Sequence, residues 1–496
     1  MDVATLVFLS SGLFLGWSLG ANDGANVFGT AVGTRMVRFR TAAFTCSVFV
    51  ILGAVVSGAG ASHTLSRLGS VNAIAGAFMV ALAAGLAVYL MIKTGISVST
   101  TQAIVGAIVG WNVFSGALTD PTTLITLVST WVICPVLSGG IAALLYKLVA
   151  VFLRTGKLHL LTVDAYTRAG LILAGAFGAY SLGANNIANV MGVFVPVSPF
   201  TPFRVGEMWT VSSAQQLFLL GGLAIATGVF TYSRGVMMTV GRNLARLSPV
   251  AAFVVVVAQS VVLFLFASQG LEALLARAGL PTIPLVPVSS SQAVIGAIIG
   301  VGLTRGGRDI RFRLLGSIAL GWVLTPIIAG VICFVALFFL QNVFNQQVYK
   351  PQTFELSPAV ISRIAADGVD TRPFADLAGR RFATARGLAD VLAARADLSA
   401  RELRRIADYA VVDRIEVDAK KLRTLEQATL SAEQIAAVRR LDGKSFRHRW
   451  MFAEALARES PSWRALPPSP VNHLANRALD EKRRLLYNLF RVETGP

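Results

Sequence analysis

Residues 41–61, 71–92, 121–146, 210–231, 248–268 and 314–341 are apolar runs, and no charged residue falls in any of them. A bilayer core about 30 Å thick needs roughly 20 apolar residues in helical form, and each run meets that length. Lipid offers no partner for backbone N–H and C=O groups, so runs of this kind must be helices. The sequence therefore predicts an all-α integral membrane protein that crosses the cell (inner) membrane several times, with the lipid bilayer as its first partner. The N-terminal apolar run has neither a basic leader nor an A-x-A site, so no cleavable signal peptide is expected.

Charge is divided unevenly along the chain. Of 26 acidic and 44 basic residues, only 7 and 18 fall within residues 1–344. Residues 345–496 hold the remaining 19 and 26, a density typical of a soluble segment. The net charge of +18 does not point to nucleic acid. Most of the excess lies on short loops between spans, where cytoplasmic Lys and Arg accumulate. Cys46, Cys134 and Cys333 each sit inside an apolar run and read as small buried residues, without a disulfide framework or a metal site.

The chain also repeats itself. Residues 18–33 read SLGANDGANVFGTAVG and residues 181–194 read SLGANNIANVMGVF. Residues 98–110 read VSTTQAIVGAIVG and residues 288–300 read VSSSQAVIGAIIG. A third pair sets Trp131–Pro135 against Trp322–Pro326. Order and spacing agree, which indicates a duplication. The stretch from Asp23 to Gln102 is shorter than its counterpart from Asn186 to Gln292, and the excess is expected in loops around 269–287. Arg35, Arg38 and Arg40 follow the first Asn motif, whereas its copy is followed by Arg204 and Glu207. The first Gln motif is followed by no basic residue before 120, while its copy is followed by Arg305, Arg308, Arg311 and Arg313. Equivalent loops thus carry opposite bias, and the two halves are expected to face opposite ways. Inverted-topology repeats with interrupted helices are a transporter signature. The expected domains are a first transmembrane repeat (1–157), a second, inverted one (158–344) and a soluble helical extension (345–496).

Two polar motifs stand out in this apolar setting. Asn22, Asp23 and Asn26 recur as Asn185, Asn186 and Asn189. Asn22 and Asn26 are four apart and share a helix face. A carboxylate at membrane depth is costly and marks a pathway by default. The bland alternative is amide bonding across a small-residue helix interface. The second motif is Ser99, Thr100, Thr101 and Gln102, repeated as Ser289, Ser290, Ser291 and Gln292. Hydroxyls at a helix start, beside free N–H groups and the positive dipole end, suit an anion. Ordinary capping would need only one hydroxyl. Uncharged donors can hold an oxyanion and still release it. The triplets, Gln102, Gln292, Asn26 and Asn189 are therefore the candidate anion ligands. Asn22, Asp23, Asn185 and Asn186 are the candidate cation or coupling group. No nucleophile–base pair or metal-ligand set beyond a coupling Na⁺ is visible, so an enzyme is not expected.

Gly20–Asn26 with Gly183–Asn189, and Ser99–Gln102 with Ser289–Gln292, resemble the signatures of the inorganic phosphate transporter family. Tyr232–Pro249 is similar to that family's second-half cytoplasmic stretch, and the likeness covers roughly residues 5–341. It implies an inverted-repeat carrier that moves phosphate with Na⁺ or H⁺ and needs no cofactor besides that ion. The chain departs from the family pattern in three ways, at five positions. Asn186 stands for Asp, Gln102 and Gln292 for His, and Ser290 and Ser291 for Thr. Losing two groups that titrate near neutral pH favours Na⁺ over H⁺. The family also holds sulfate carriers, so a sulfate or other oxyanion permease is the first alternative. An anion channel or sensor is the second, and room is left for a homodimer. In the extension, Ser399 with Glu402 and Ser431 with Gln434 are capping boxes. Short amphipathic helices are expected over 376–460, then a Pro-rich break and a last helix over 473–490.

Overall fold

The computed structural model describes residues 3–69, 71–93, 98–156, 159–205, 209–243, 247–307, 312–424 and 430–492. Arg308 and Arg311, used above to orient the second half, lie outside the described residues, as does Glu207. The chain divides into two compact units. The first comprises residues up to Ser115, Thr119–Gln269 and Ile283–Lys350; the second comprises Gly116–Leu118, Gly270–Thr282 and Pro351 onward.

The first unit is built from α1 (Val3–Gly33), α2 (Phe39–Ser57), α3 (Ala59–Leu68), α4 (Ile74–Lys93), α5 (Thr100–Ser115), α6 (Pro121–Thr155) and α7 (Leu160–Met191). A hairpin of β1 (Phe203–Val205) and β2 (Trp209–Val211) follows. Then come α8 (Ser213–Thr231), α9 (Ser233–Asn243) and α10 (Pro249–Ala267) and, after α11 (Gln269–Arg277), which belongs to the second unit from Gly270 on, α12 (Ser290–Thr304) and α13 (Phe312–Asn342). Among the described residues, eight helices are long and apolar enough to cross a membrane, and the protein is a multi-pass membrane protein. The apolar runs read from the sequence map onto α2, α4, α6, α8, α10 and α13 in turn. Polar starts set several of their ends. Asp120 accepts from the Thr122 amide ahead of Pro121, Ser248 accepts from the Ala251 amide ahead of Pro249, and Ser212 with Gln215 forms a capping box. His63 lies within α3.

Packing follows the duplication. The long helices α6 and α13 contain Pro135 and Pro326 and turn apolar side chains such as Val132, Val136, Val323 and Ile327 outward. The short helices α5 and α12 press against them across the two halves, α5 on α13 and α12 on α6. Glycine permits this close approach. A Cβ on Gly106 would lie 2.0 Å from the Pro326 carbonyl oxygen, and one on Gly296 would lie 2.1 Å from that of Pro135. The same exchange joins α1 to α8 and α7 to α2, where Gly20 meets Ile225 and Gly183 meets Val50. The register also locates the second half's extra residues. Asp23 corresponds to Asn186, Phe39 at the start of α2 to Ser213 at the start of α8, Ile74 of α4 to Pro249 of α10, and Gln102 to Gln292. The offset between the halves grows from the first of these pairs to the second, stays nearly constant to the third, and grows again to the fourth. The excess therefore falls in two places, around the β1–β2 hairpin and around α11, rather than all near 269–287.

The second unit holds β3 (Phe354–Glu355), α14 (Pro358–Ala366), β4 (Arg381–Phe382), α15 (Ala385–Ala393), α16 (Ala400–Ala410), β5 (Ile415–Glu416), α17 (Ala432–Arg440), β6 (Ser445–Phe446), α18 (Arg449–Glu459) and α19 (Pro470–Phe490). Both capping boxes form, at Ser399 and Ser431. The two strand pairs go beyond the helices expected here, and they expose a second, tandem repeat. Leu377-Ala-Gly-Arg-Arg-Phe382 recurs as Leu441-Asp-Gly-Lys-Ser-Phe446. In each copy the glycine has positive φ, +81° at Gly379 and +75° at Gly443. Its amide donates to the residue that follows the neighbouring strand, to Leu356 O at 2.7 Å and to Val417 O at 2.9 Å. A helix follows that buries residues at matching places, Leu388 and Leu392 on α15, Phe452 and Leu456 on α18. Each module has its own apolar core. Buried carboxylates tie them together, with Glu355 paired to Arg381 and Arg447, and Asp413 to Arg449.

Candidate functional site

Four helices bring the duplicated motifs to one place. α1 and α7 run unbroken through the two Asn motifs. Helices α5 and α12, of 16 and 15 residues, are shorter than a span and begin at the Ser/Thr triplets. All fourteen candidate residues are buried, none more than 4% exposed.

Asp23 is the centre of the network. Its Oδ1 accepts from Asn22 Nδ2 at 2.8 Å and Asn26 Nδ2 at 3.2 Å. Its Oδ2 accepts from Asn186 Nδ2 at 3.1 Å and Thr100 Oγ1 at 3.4 Å. One carboxylate thus gathers donors from α1, α5 and α7, as a buried charge requires. Of the remaining bonds, those of Asn26, Asn189, Ser291 and Thr101 join the halves in a matched way, and those of Asn185 stay within the second half. Asn26 Nδ2 donates to Ser290 Oγ and Ser291 Oγ at 3.2 Å each, and Asn189 Nδ2 donates to Thr101 Oγ1 at 2.9 Å. Ser291 Oγ donates to Val98 O at 3.1 Å, and Thr101 Oγ1 to Val288 O at 3.4 Å. Asn185 Nδ2 donates to Asn186 Oδ1 and to Val288 O (2.7 Å), and Asn185 Oδ1 accepts from the Val288 amide at 3.0 Å. Each Asn cluster is completed by the other half's hydroxyls.

The triplets divide their labour. Ser99 Oγ and Ser289 Oγ each accept from the backbone amide three residues on, at Gln102 and Gln292, both at 3.3 Å. These two are caps, in keeping with the bland reading. Thr100, Thr101, Ser290 and Ser291 instead reach the Asn clusters. Gln102 Oε1, Gln292 Oε1 and Asn189 Oδ1 are buried and have no hydrogen-bond partner among the described residues. Sequence reasoning missed two groups. Ser138 on α6 donates to Ala293 O at 2.7 Å and pins α12. Gln259 on α10 donates through Nε2 to Asn26 O at 2.5 Å. Its only signal was an amide in an otherwise apolar run.

The sequence profile described as "Phosphate transporter family" matches residues 19–333, with a further match over 275–377. The chain belongs to the phosphate transporter family. Members of this family are permeases, and the protein is not an enzyme. A relative from Pyrococcus abyssi, named "Putative phosphate permease", is 26% identical over 409 residues, spanning 67% of this chain and 96% of that protein. The "Sulfate permease CysP" of Bacillus subtilis is 28% identical over 342 residues, spanning 66% of this chain and 85% of that one. A solved structure described as "The sodium-dependent phosphate transporter" shares the fold, with a TM-score of 0.56 and 23% identity over 69% of this chain and 100% of that chain. In this member of the phosphate transporter family, both Asn motifs and both Ser/Thr motifs fall inside the matched residues.

Proposed function

We propose that this chain is a secondary active transporter that carries inorganic phosphate together with a cation, Na⁺ in preference to H⁺. The observation that carries the reading is the single carboxylate of Asp23 among amides and hydroxyls from both halves. The anion, held by uncharged donors, and the Asp23 carboxylate together carry at least two negative charges, and cations bound beside Asp23 offset them. Coupling of the two fluxes follows, because neither ion is stable at membrane depth without the other. The halves insert with opposite orientation, and substrate binds where they meet. Thr100, Thr101, Ser290, Ser291, Asn26 and Asn189 donate to the oxyanion, and the first-turn amides of α5 and α12 add to them. Asn22, Asp23, Asn185 and Asn186 hold the cation.

Phosphate ranks above sulfate for a physical reason. Gln102, Gln292 and Asn189 leave buried amide oxygens without donors among the described residues, and an unpaired buried acceptor is costly. A cation or a P–OH group satisfies such oxygens, and sulfate has no hydrogen to offer. The sulfate permease from Bacillus subtilis keeps sulfate as the second reading. The likeness to a transporter described as sodium-dependent favours Na⁺. The test is ³²P-phosphate uptake into proteoliposomes, with Na⁺ and pH gradients imposed separately and sulfate as competitor. Uphill accumulation driven by Na⁺, blocked by unlabelled phosphate, is expected. Uptake blocked by sulfate alone overturns the substrate, and a flux that never exceeds equilibrium indicates a channel.

A further inference from the structure

Gln259 lies in the middle of α10 and is completely buried. A carboxamide in such a place is costly unless both of its ends are bonded. One end is: Nε2 donates to the main-chain carbonyl of Asn26 at 2.5 Å. The other, Oε1, has no partner among the described residues. Leu or Met would fill this volume without that cost, so packing alone does not account for an amide here.

The duplication sharpens the point. Setting Ile74 of α4 on Pro249 of α10 matches Phe78 with Phe253, Val80 with Val255 and Ala83 with Ala258. Gln259 then falls opposite Ala84, with Gly85 next in line. Neither has a polar side chain, so the amide is not part of the framework common to both halves. It belongs to one side of the site only, the side of Asn26, whose own amide bridges Asp23 to Ser290 and Ser291 through bonds of 3.2 Å each. Those bonds lie near the long end of the hydrogen-bond range. A shift of α1 by a few tenths of an ångström breaks them.

We infer that Gln259 is a positioning residue of the binding site. It holds the Asn26 main chain so that the Asn26 amide spans the carboxylate and the second-half hydroxyls. This rests on the transport reading above. The test uses the full chain in proteoliposomes. Gln259→Leu and Gln259→Met keep the volume and remove the donor. Both are expected to raise the phosphate KM about tenfold, the worth of one hydrogen bond, with Vmax within about twofold of wild type. In an Asn26→Ala background, adding Gln259→Leu is expected to change anion affinity less than about twofold, because the group it acts through is gone. Affinity there is read as the anion-dependent shift in melting temperature, which needs no turnover. Wild-type KM in both Gln259 variants overturns the inference, as does a tenfold effect that persists without the Asn26 side chain. A loss of melting temperature with unchanged KM also overturns it, since that marks a merely structural group. Should the wild type bind sulfate in place of phosphate, the same cycle is read with sulfate. The failure then falls on the substrate assignment, and the positioning role is judged separately.

Discussion

Gly296→Ala tests whether backbone contact between α12 and α6 sets the site. The new Cβ would lie 2.1 Å from the Pro135 carbonyl oxygen and 2.6 Å from its Cα. Ordinary contact begins at 3.4 Å, so α12 must retreat by more than an ångström. Neither neighbour is a flexible side-chain tip, and the strain cannot be relieved by a rotamer change. At the start of the same helix, Ser290 Oγ accepts from Asn26 Nδ2 at 3.2 Å, and Ser291 Oγ does so at the same distance. A shift of that size is large enough to disrupt the geometry of both bonds whichever way the helix moves. The overpacking itself costs about 1–3 kcal/mol, and the lost bonds about 1 kcal/mol each. The assay pairs thermal unfolding in detergent with phosphate uptake. Gly140→Ala is the control, since it lies on α6 with nothing within 4 Å of its Cβ. The expected result is a lower melting temperature and at least a tenfold loss of uptake affinity for Gly296→Ala, with Gly140→Ala unchanged or slightly stabilised. Wild-type stability and uptake in Gly296→Ala would falsify the idea that the Ser triplet is set by this contact.

Asp23→Asn is expected to abolish gradient-driven accumulation while leaving the protein folded; accumulation at the wild-type level would remove Asp23 from the coupling role. Asn186→Asp replaces a donor 3.1 Å from Asp23 Oδ2 with a second carboxylate. Two carboxylates this close need either a cation or a shared proton between them. With a cation there, the Na⁺ dependence of uptake is expected to steepen, and a dependence unchanged both at neutral and at alkaline pH, where a shared proton is lost, would count against a cation at this spot. In the second unit His448 is fully buried, with Nδ1 2.7 Å from Val411 O. Burial pushes its imidazole pKa below the ordinary value of 6.5, with the Val411 carbonyl and the charges of Arg447, Glu355 and Asp413 as smaller influences. The unfolded state therefore binds the proton first. The stability this contributes is present above pH 6.5 and is lost as pH falls below it. Proteolytic cleavage within residues 351–492 of the full chain is expected to rise between about pH 7 and pH 5, and less so in His448→Gln.

Much of this architecture was open to reading in the chain itself. Bilayer-length runs could only be helices, and the paired motifs named every residue of the polar cluster except Gln259 and Ser138. What escaped did so for physical reasons. Gln259 sits in a run whose composition already specifies a membrane helix, and one amide does not alter that. Its importance depends on which carbonyl it meets, and that is set by packing against a residue far away in sequence. The split within the triplets was also hidden, because a capping serine and a network serine are chemically alike until the helix start is placed. The tandem modules of the second unit were legible in principle. Leu-x-Gly-x-x-Phe occurs at 377–382 and again at 441–446, but so few fixed positions stand out only after both glycines prove to have the same positive φ.

If the proposed carrier mechanism holds, the exchange of partners between the halves limits how the site can open. α5 rests on α13 and α12 on α6 through glycines set against backbone atoms, with no side chain between them. Contacts of this kind do not slide easily, because each glycine has one place on the partner helix where its missing Cβ makes room. On the transport reading, the bodies expected to move as blocks are then the cross-half pairs, and the two halves of the sequence are not the blocks. Against this, the polar bonds that close the site are side-chain bonds mostly near 3.2 Å, and several hydroxyls among them serve as donor or acceptor with equal ease. The rigid contacts lie outside the cluster and the exchangeable ones lie within it. On the transport reading proposed above, that division would let an anion replace protein partners one by one while the helices holding those partners keep their seats.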